Sequence, residues 1–175
     1  IESEGEEGEA IFQGEESLVQ VSVVDPNIAP RTMKSWFEGC ENLSAAFLEE
    51  LDTSMVENMS SLFSGCSALV SIECSGWDTS NVTDTSRMFS GCRARSIDVS
   101  NWDISSVINM ESMFCGCRAL ASIDVASWDV SHVEVASSMF KGCGSLLRLD
   151  AHDWDTGLME DMSHMFENCC ELDGS

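Results

Sequence analysis

Seven phenylalanines recur at an almost fixed interval along this chain, with successive members 25 or 26 residues apart. A constant period of this length is typical of solenoids, in which each repeat buries its apolar face only by stacking on its neighbours. The period therefore predicts a stack of similar coils with one continuous core. The phenylalanines are Phe12, Phe37, Phe63, Phe89, Phe114, Phe140 and Phe166.

The repeats share the frame Met-x-x-Met-Phe-x-Gly-Cys-x-x-Leu-x-x-Ile-Asp-Val-Ser-x-Trp-Asp-x-Ser-x-Val. The segment from Met59 to Cys66 has apolar residues at the spacing of one face of a short helix. Ile97 and Val99 alternate as in a strand, and the Trp-Asp-x-Ser segment that follows has turn chemistry. We therefore predict an α/β fold. It is a right-handed β/α solenoid of leucine-rich-repeat type, with a parallel sheet on one face and short helices or 3-10 turns on the other.

Two details of the frame predict local backbone geometry. The residue before the repeated cysteine is glycine in five repeats and asparagine in a sixth, which is typical of a left-handed C-cap at a helix end. One repeat lacks a residue between Ala94 and Ser96, where Arg95 stands, and we expect a local packing defect there. The residues of the glycine column are Gly39, Gly65, Gly91, Gly116, Gly142 and Asn168.

The domain organisation follows from which parts of the chain match the repeat frame. Residues 1–10 are acidic and rich in glycine, and we expect a solvated linker or tail. The predicted solenoid spans residues 11–175, with a degenerate N-terminal unit at 11–36, regular units at 37–166 and a truncated unit at 167–175. A start without methionine and an end within a repeat led us to expect a fragment of a longer protein, or a processed form.

The net charge of the chain limits the kinds of partner that it can bind. Acidic residues outnumber basic ones 31 to 8, for a formal net charge of −23. This balance argues against nucleic acid and anionic membrane surfaces as partners, and permits basic partners or divalent cations. His132, His152 and His164 fall in different columns, and no arrangement of a catalytic triad recurs. We therefore predict no enzyme activity and no catalytic residues.

The repeat resembles a known family at the level of its motifs. The stretch LFSGCSALVSIECSGWDTSNV, from Leu62 to Val82, is similar to the repeats of BspA-like leucine-rich-repeat surface proteins of bacteria, in the class with about 26 residues per repeat. The resemblance covers residues 11–175. It implies a secreted or surface-anchored bacterial protein with a role in adhesion and in host or matrix contact. It carries over no catalytic residue and no single ligand.

Six of the nine cysteines share one column. They could form disulfides or hold a metal, but one cysteine per repeat lacks zinc-finger spacing, and we favour a buried ladder of free thiols. Cys74, Cys115 and Cys170 are off this column, and we expect Cys115 to be exposed and able to dimerise the chain on oxidation. We predict no metal site on the cysteines. The structural ladder is Cys40, Cys66, Cys92, Cys117, Cys143 and Cys169.

Two further columns have both a structural and a binding interpretation. Stacked tryptophans could form a platform for carbohydrate or peptide, but one per repeat in a fixed frame favours packing that seals the turn. The aspartates that follow them are interpreted as turn caps. The tryptophans are Trp77, Trp102, Trp128 and Trp154, and the aspartates are Asp52, Asp78, Asp103, Asp129 and Asp155.

A second acidic column lies in the predicted strand and points away from the core. Like charges stacked at the strand spacing repel one another unless they are well solvated, bind Ca²⁺ or meet a cationic partner. We favour solvation, with a binding face as the next alternative. The residues of the hypothetical ligand-binding face are Ser71, Glu73, Ser96, Asp98, Ser122, Asp124, Arg148 and Asp150; Ser75, Ser100, Ala126 and His152 extend it.

The leading hypothesis is a non-enzymatic cell-surface module that contacts a host, matrix or cell-surface protein or glycan through its sheet face. One alternative is a structural spacer that projects another domain. Another is an acidic solenoid stabilised by Ca²⁺, the only cofactor that the sequence suggests. We predict no nucleic-acid partner and no membrane insertion. The sequence leaves the ligand and the oligomeric state open.

Overall fold

The chain forms a stack of coils, each built from one repeat. A computed structural model describes residues 10–23, 25 and 27–173. Of the predicted acidic linker, residues 1–9 lie outside these residues. Equivalent positions in adjacent coils are hydrogen-bonded to one another along the stack, so every coil depends on its neighbours for its backbone partners.

Three short strands pair in parallel near the start of the stack. They are β1 (Gln20–Ser22), β2 (Ala45–Phe47) and β3 (Ser71–Glu73), in the spatial order β1-β2-β3. The register advances by one repeat per strand, because Gln20 pairs with Ala45 and Ala45 with Ser71. The predicted parallel sheet is therefore present, although it is narrow.

The sheet is interrupted at the coil that lacks a residue. Arg95 lies in a bend, and no strand follows Glu73 in the part of the chain that the structure describes. Ala94 is buried at the position where the neighbouring coils have leucine, so a smaller side chain fills the core there. Pairing resumes further on as an isolated parallel bridge between Ser122 and Arg148. The coil that lacks a residue is therefore marked by a break in strand pairing, and the packing defect expected there stays a prediction.

Consecutive turns take the place of the predicted helices. The amide of Ser35 donates to the Ser60 carbonyl of the next coil at 2.9 Å, whereas the amide of Trp36 donates to the Met33 carbonyl within its own coil at 3.3 Å. This alternation uses every second amide for stacking and the others for turns with a bond to the third preceding residue. The described residues contain no α-helix or 3-10 helix, and none that could span a membrane.

Left-handed residues explain why the helices do not form. Each regular coil has two residues with φ between 55° and 79°, one of them two positions before the phenylalanine and the other in the glycine column. A right-handed helix cannot pass through such residues, so the chain turns again at each one. Asn168 has φ 63°, which confirms the left-handed geometry of its column but not a helix end. The other non-glycine residues are Ser35, Ser61, Arg87, Ser112, Ser138 and His164.

The phenylalanines form a continuous stack through the core. Adjacent rings lie 5.3–5.9 Å apart between centroids and within 15° of parallel. The five inner rings are at most 1% exposed, whereas Phe166 at the last coil is 41% exposed. The stack confirms that the 25- or 26-residue period is the core period of the fold.

Alanine substitutions at two glycines test the left-handed geometry. Gly91 has φ 79°, and a Cβ there would meet only ordinary contacts, at 3.8 Å from the Gly65 Cα. We expect Gly91→Ala to lower the free energy of unfolding by about 1 kcal/mol, through backbone strain alone. Gly76→Ala is the matched control, because Gly76 lies outside the left-handed region and in open space. Urea denaturation should show the control unchanged or slightly stabilised; equal losses would contradict the account.

Candidate functional site

The predicted ligand-binding residues lie along one side of the coils as an exposed polar row. Ser71 is half-buried, and the other seven are exposed. Between them, Ile97, Ile123 and Val125 point into the core and are buried, which confirms the alternation expected from the sequence. We call the following residues the sheet row: Ser71, Glu73, Ser96, Asp98, Ser122, Asp124, Arg148 and Asp150.

The aspartates of the sheet row also cap turns, a role that the sequence reasoning did not assign to them. One carboxylate oxygen of Asp98 accepts hydrogen bonds from the Ser100 amide at 3.2 Å and from the Ser100 hydroxyl at 2.7 Å. Asp124 accepts from the Ala126 amide at 3.3 Å. The hydroxyl and amide of Ser100 lower the pKa of Asp98, because hydrogen bonds to a carboxylate favour its charged form. The hydrogen bonds that close these turns therefore also favour the charged form of the Asp98 carboxylate.

The C-terminal end of the row carries a histidine between two carboxylates. His152 Nδ1 lies 2.6 Å from Asp150 Oδ1, and its Nε2 lies 3.1 Å from Asp153 Oδ2. The hydrogen bond to Asp150, followed by the charge of Asp153, raises the pKa of His152. A cavity of about 410 Å³ lies beside this cluster and is also lined by Arg148 and Asp173. These side chains give the row both signs of charge at this end.

The aspartates after the tryptophans cap turns as predicted. Asp103 Oδ1 accepts from the Ser105 amide at 3.0 Å and from its hydroxyl at 2.7 Å. Both bonds recur at Asp52 and Asp78, and the amide bond recurs at Asp129. At Asp155 the donor is the amide of Gly157.

A third capping column, just before each phenylalanine segment, was missed from the sequence. Asn58 Oδ1 accepts from the Ser60 amide at 2.8 Å, and Asp84 accepts from the Ser86 amide at 2.9 Å. The signal was present as an Asn or Asp that recurs at the repeat period. Asn109 and Asp161 complete the column.

The tryptophans seal the core and do not form an exposed platform. Trp77, Trp102 and Trp128 are each 4% exposed, and Trp154 is half-buried. Each indole N–H donates to a backbone carbonyl of the preceding coil, as from Trp102 Nε1 to the Cys74 oxygen at 3.0 Å. A buried, hydrogen-bonded indole has no free face for a ligand, so the packing interpretation is confirmed.

The six column cysteines form the predicted ladder of free thiols. Each thiol donates to the carbonyl oxygen of the phenylalanine in the preceding coil, at 2.9–3.4 Å. Burial raises the pKa of Cys66 and of Cys117 from an ordinary 9.0 to about 12. The ladder is therefore a hydrogen-bonding device that keeps its thiols protonated.

The remaining cysteines differ in their surroundings. Cys74 is buried, Cys170 is exposed, and Cys115 is half-buried, so Cys115 is less accessible than its column led us to expect. The cysteines are all free. Among residues 10–23, 25 and 27–173, no three histidine, cysteine or acidic side chains come together as a possible metal site.

The histidines lie apart and build no catalytic arrangement within the described coils. His132 Nδ1 contacts the neighbouring Ser131 hydroxyl at 3.3 Å, and His164 contacts Glu167 at 2.6 Å. Neither contact forms the chain of nucleophile, base and acid that acyl transfer requires.

Comparison with known proteins places the chain in a family. The model of a family described as Mycoplasma protein of unknown function, DUF285, matches residues 10–122 and 94–175. The chain belongs to this family. No curated protein matched it. A crystal structure of a leucine-rich repeat protein from Bacteroides ovatus has the same fold, with a TM-score of 0.63 and 22% identity.

The similarity to that structure covers 95% of this chain and 39% of the other, so the chain spans about two fifths of its length. Together, the match and the coils show a leucine-rich-repeat-like fold.

The raised cysteine pKa values predict a loss of stability at alkaline pH. Cys66, Cys74 and Cys117 stay protonated in the folded chain up to about pH 12, whereas unfolded thiols ionise near pH 9.0. The folded state therefore binds more protons in this window, and the free energy of unfolding should fall as pH rises from 9 towards 12. Urea denaturation at pH 8, 9 and 10 measures this.

Cys117→Ala supplies the comparison for that series, because it removes one ionisable group from the ladder. The variant should start less stable but lose less stability per pH unit above pH 9. An identical slope in the variant and the parent chain would contradict the role given to the thiols.

Proposed function

We propose that this chain is a non-catalytic binding module that contacts a protein or glycan through the sheet row. The observation that carries the proposal is the contrast between the two sides of each strand segment. The inward residues are nearly invariant apolar types that stack from coil to coil, whereas the outward residues form a continuous exposed row of serine, acidic and basic side chains. A rigid scaffold that presents a row of exposed polar groups is suited to recognition.

The charge of the row favours a partner with cationic groups. Glu73, Asp98, Asp124 and Asp150 follow one another at the coil spacing, and the overall charge of −23 adds to their field. Only one oxygen of Asp98 is occupied by its turn, which leaves the other for a ligand. A basic protein segment fits this surface better than an acidic glycan does.

The setting that we propose is a bacterial cell surface, with adhesion as the role. This rests on the likeness of the Met-Phe-x-Gly-Cys and Trp-Asp-x-Ser motifs to BspA-like repeats, which also underlies the proposed right-handed winding of the coils. The leucine-rich-repeat fold of the Bacteroides ovatus protein is compatible with it. A structural spacer is the principal alternative, because capping alone would also account for the acids of the row.

Charge removal that spares the turns tests the proposal. The row variant combines Asp98→Asn, Asp124→Asn and Asp150→Asn. It removes three charges but keeps a side-chain oxygen that can cap each turn. The matched control is Asp103→Asn, Asp129→Asn and Asp155→Asn, which makes the same change in the capping column outside the row. Binding of each protein to an array of matrix proteins and cell-surface glycans is measured, with melting temperatures recorded in parallel.

We expect the parent chain and the control to bind a basic partner, and the row variant to lose at least tenfold in affinity. Equal binding by the parent chain, the row variant and the control would show that the partner contacts another surface. If none of the three proteins binds, the structural spacer is favoured. A melting temperature that rises with Ca²⁺ and falls with chelator in the parent chain alone would support the calcium alternative.

A further inference from the structure

A groove of about 850 Å³ runs across the turns on a different part of the coils from the sheet row. Its walls come from the glycine and cysteine columns and the residues that follow them, and none of the sheet-row residues contributes. Its polar lining includes Ser67, Ser90 and Ser145, and its basic lining is Arg93 and Arg118. The Ser67 hydroxyl donates to the Glu41 carbonyl and the Ser90 hydroxyl to the Cys115 carbonyl.

The two arginines come from adjacent coils and both line the groove. Each follows a cysteine of the ladder, Cys92 or Cys117, although the Arg93 amide donates to the Leu69 carbonyl and the Arg118 amide to the Gly116 carbonyl. Both side chains are exposed. In their column, Ser67 and Gly144 occupy the coils on either side, and neither is large enough to cover the guanidinium groups.

No carboxylate of the described chain neutralises this pair. Arg87 pairs with Glu111 and Lys141 with Glu167, whereas neither Arg93 nor Arg118 has a carboxylate within 4.0 Å among the described residues. The groove therefore holds two cations from adjacent coils without a carboxylate beside them. Their mutual repulsion is relieved when an anion binds between them.

We propose that the groove binds an oxyanion group, a sulfate or a carboxylate, carried by an acidic saccharide. Guanidinium groups pair with such oxyanions through two parallel hydrogen bonds. The oxygens of the serine hydroxyls around them can accept hydrogen bonds from the hydroxyl groups of a sugar. An acidic peptide fits less well, because the apolar lining is limited to small groups such as Ala119 and contains no large apolar side chain for peptide side chains to pack on.

Cys115 provides a reporter inside the groove. Its thiol lines the same cavity and is half-buried, whereas the ladder thiols beside it are buried. In a Cys170→Ser background, the exposed competitor is removed, and peptide mapping separates modification of Cys115 from that of half-buried Cys169. A bound saccharide should shield Cys115 from a neutral disulfide reagent.

The experiment uses the full chain in this background and a heparin-derived sulfated tetrasaccharide as the probe. Inorganic sulfate, a neutral tetrasaccharide and a polyglutamate peptide form the other arms. The test variant is Arg93→Gln with Arg118→Gln. The matched control is Arg31→Gln with Arg95→Gln, which makes the same charge change at exposed arginines outside both the groove and the sheet row. Calorimetry measures affinity, and the rate of Cys115 modification reports occupancy.

We expect the sulfated tetrasaccharide to bind the parent and control proteins, to slow Cys115 modification, and to lose at least tenfold in affinity in the groove variant. An anionic disulfide reagent should also react with Cys115 about tenfold faster, relative to the neutral reagent, in the parent than in the groove variant. Tetrasaccharide binding that is absent, or equal in the groove variant and the parent, would overturn the proposal. Sulfate alone binding as tightly as the tetrasaccharide, or preference for polyglutamate, would overturn the saccharide assignment.

Discussion

The carbonyl oxygen of each core phenylalanine is the point on which the coils depend. In the coil of Phe89, this oxygen accepts from the Cys92 amide at 3.0 Å and from the Cys117 thiol of the next coil at 3.0 Å. A buried carbonyl can accept two hydrogen bonds, and both are supplied here, one closing a turn and one joining two coils. Phenylalanine, glycine and cysteine recur together because each supplies one part of the same unit. The phenylalanine provides the core ring and the carbonyl, the glycine allows the turn, and the cysteine thiol bonds the carbonyl of the preceding coil.

The core columns could be predicted because stacking forces the same side chain into the same place in every coil. The phenylalanine stack, the cysteine ladder and the buried tryptophans all follow from this requirement. The helices could not be predicted in the same way. A turn closed by a bond to the third preceding residue produces the same apolar spacing over Met59, Leu62, Phe63 and Cys66 as a helix does. The left-handed residues Ser61 and Gly65, with φ of 55° and 77°, separate the two structures. The glycine could be predicted to be left-handed, but a serine seldom adopts that conformation.

The sheet row illustrates a second limit of sequence reasoning. Its outward direction could be predicted from the alternation of apolar and acidic residues. Its capping role was missed because the strand assignment took precedence, although Asp98 precedes Ser100 in the same Asp-x-Ser pattern as Asp103 and Ser105. The arginines of the groove were missed for another reason. Arg93 and Arg118 lie in a column that varies from coil to coil, and a frame drawn from the shared residues leaves such a column out.

Hydrogen exchange of the phenylalanine amides tests the central claim most directly. The Phe89 amide donates to the Met113 carbonyl of the next coil at 2.9 Å, whereas the described residues offer the Phe166 amide no acceptor. The account predicts strong protection at Phe89, as at Phe63 and Phe114, and exchange close to the unfolded rate at Phe166. Equal protection at Phe89 and Phe166, or rapid exchange at Phe89 in the folded chain, would contradict a fold held together from coil to coil.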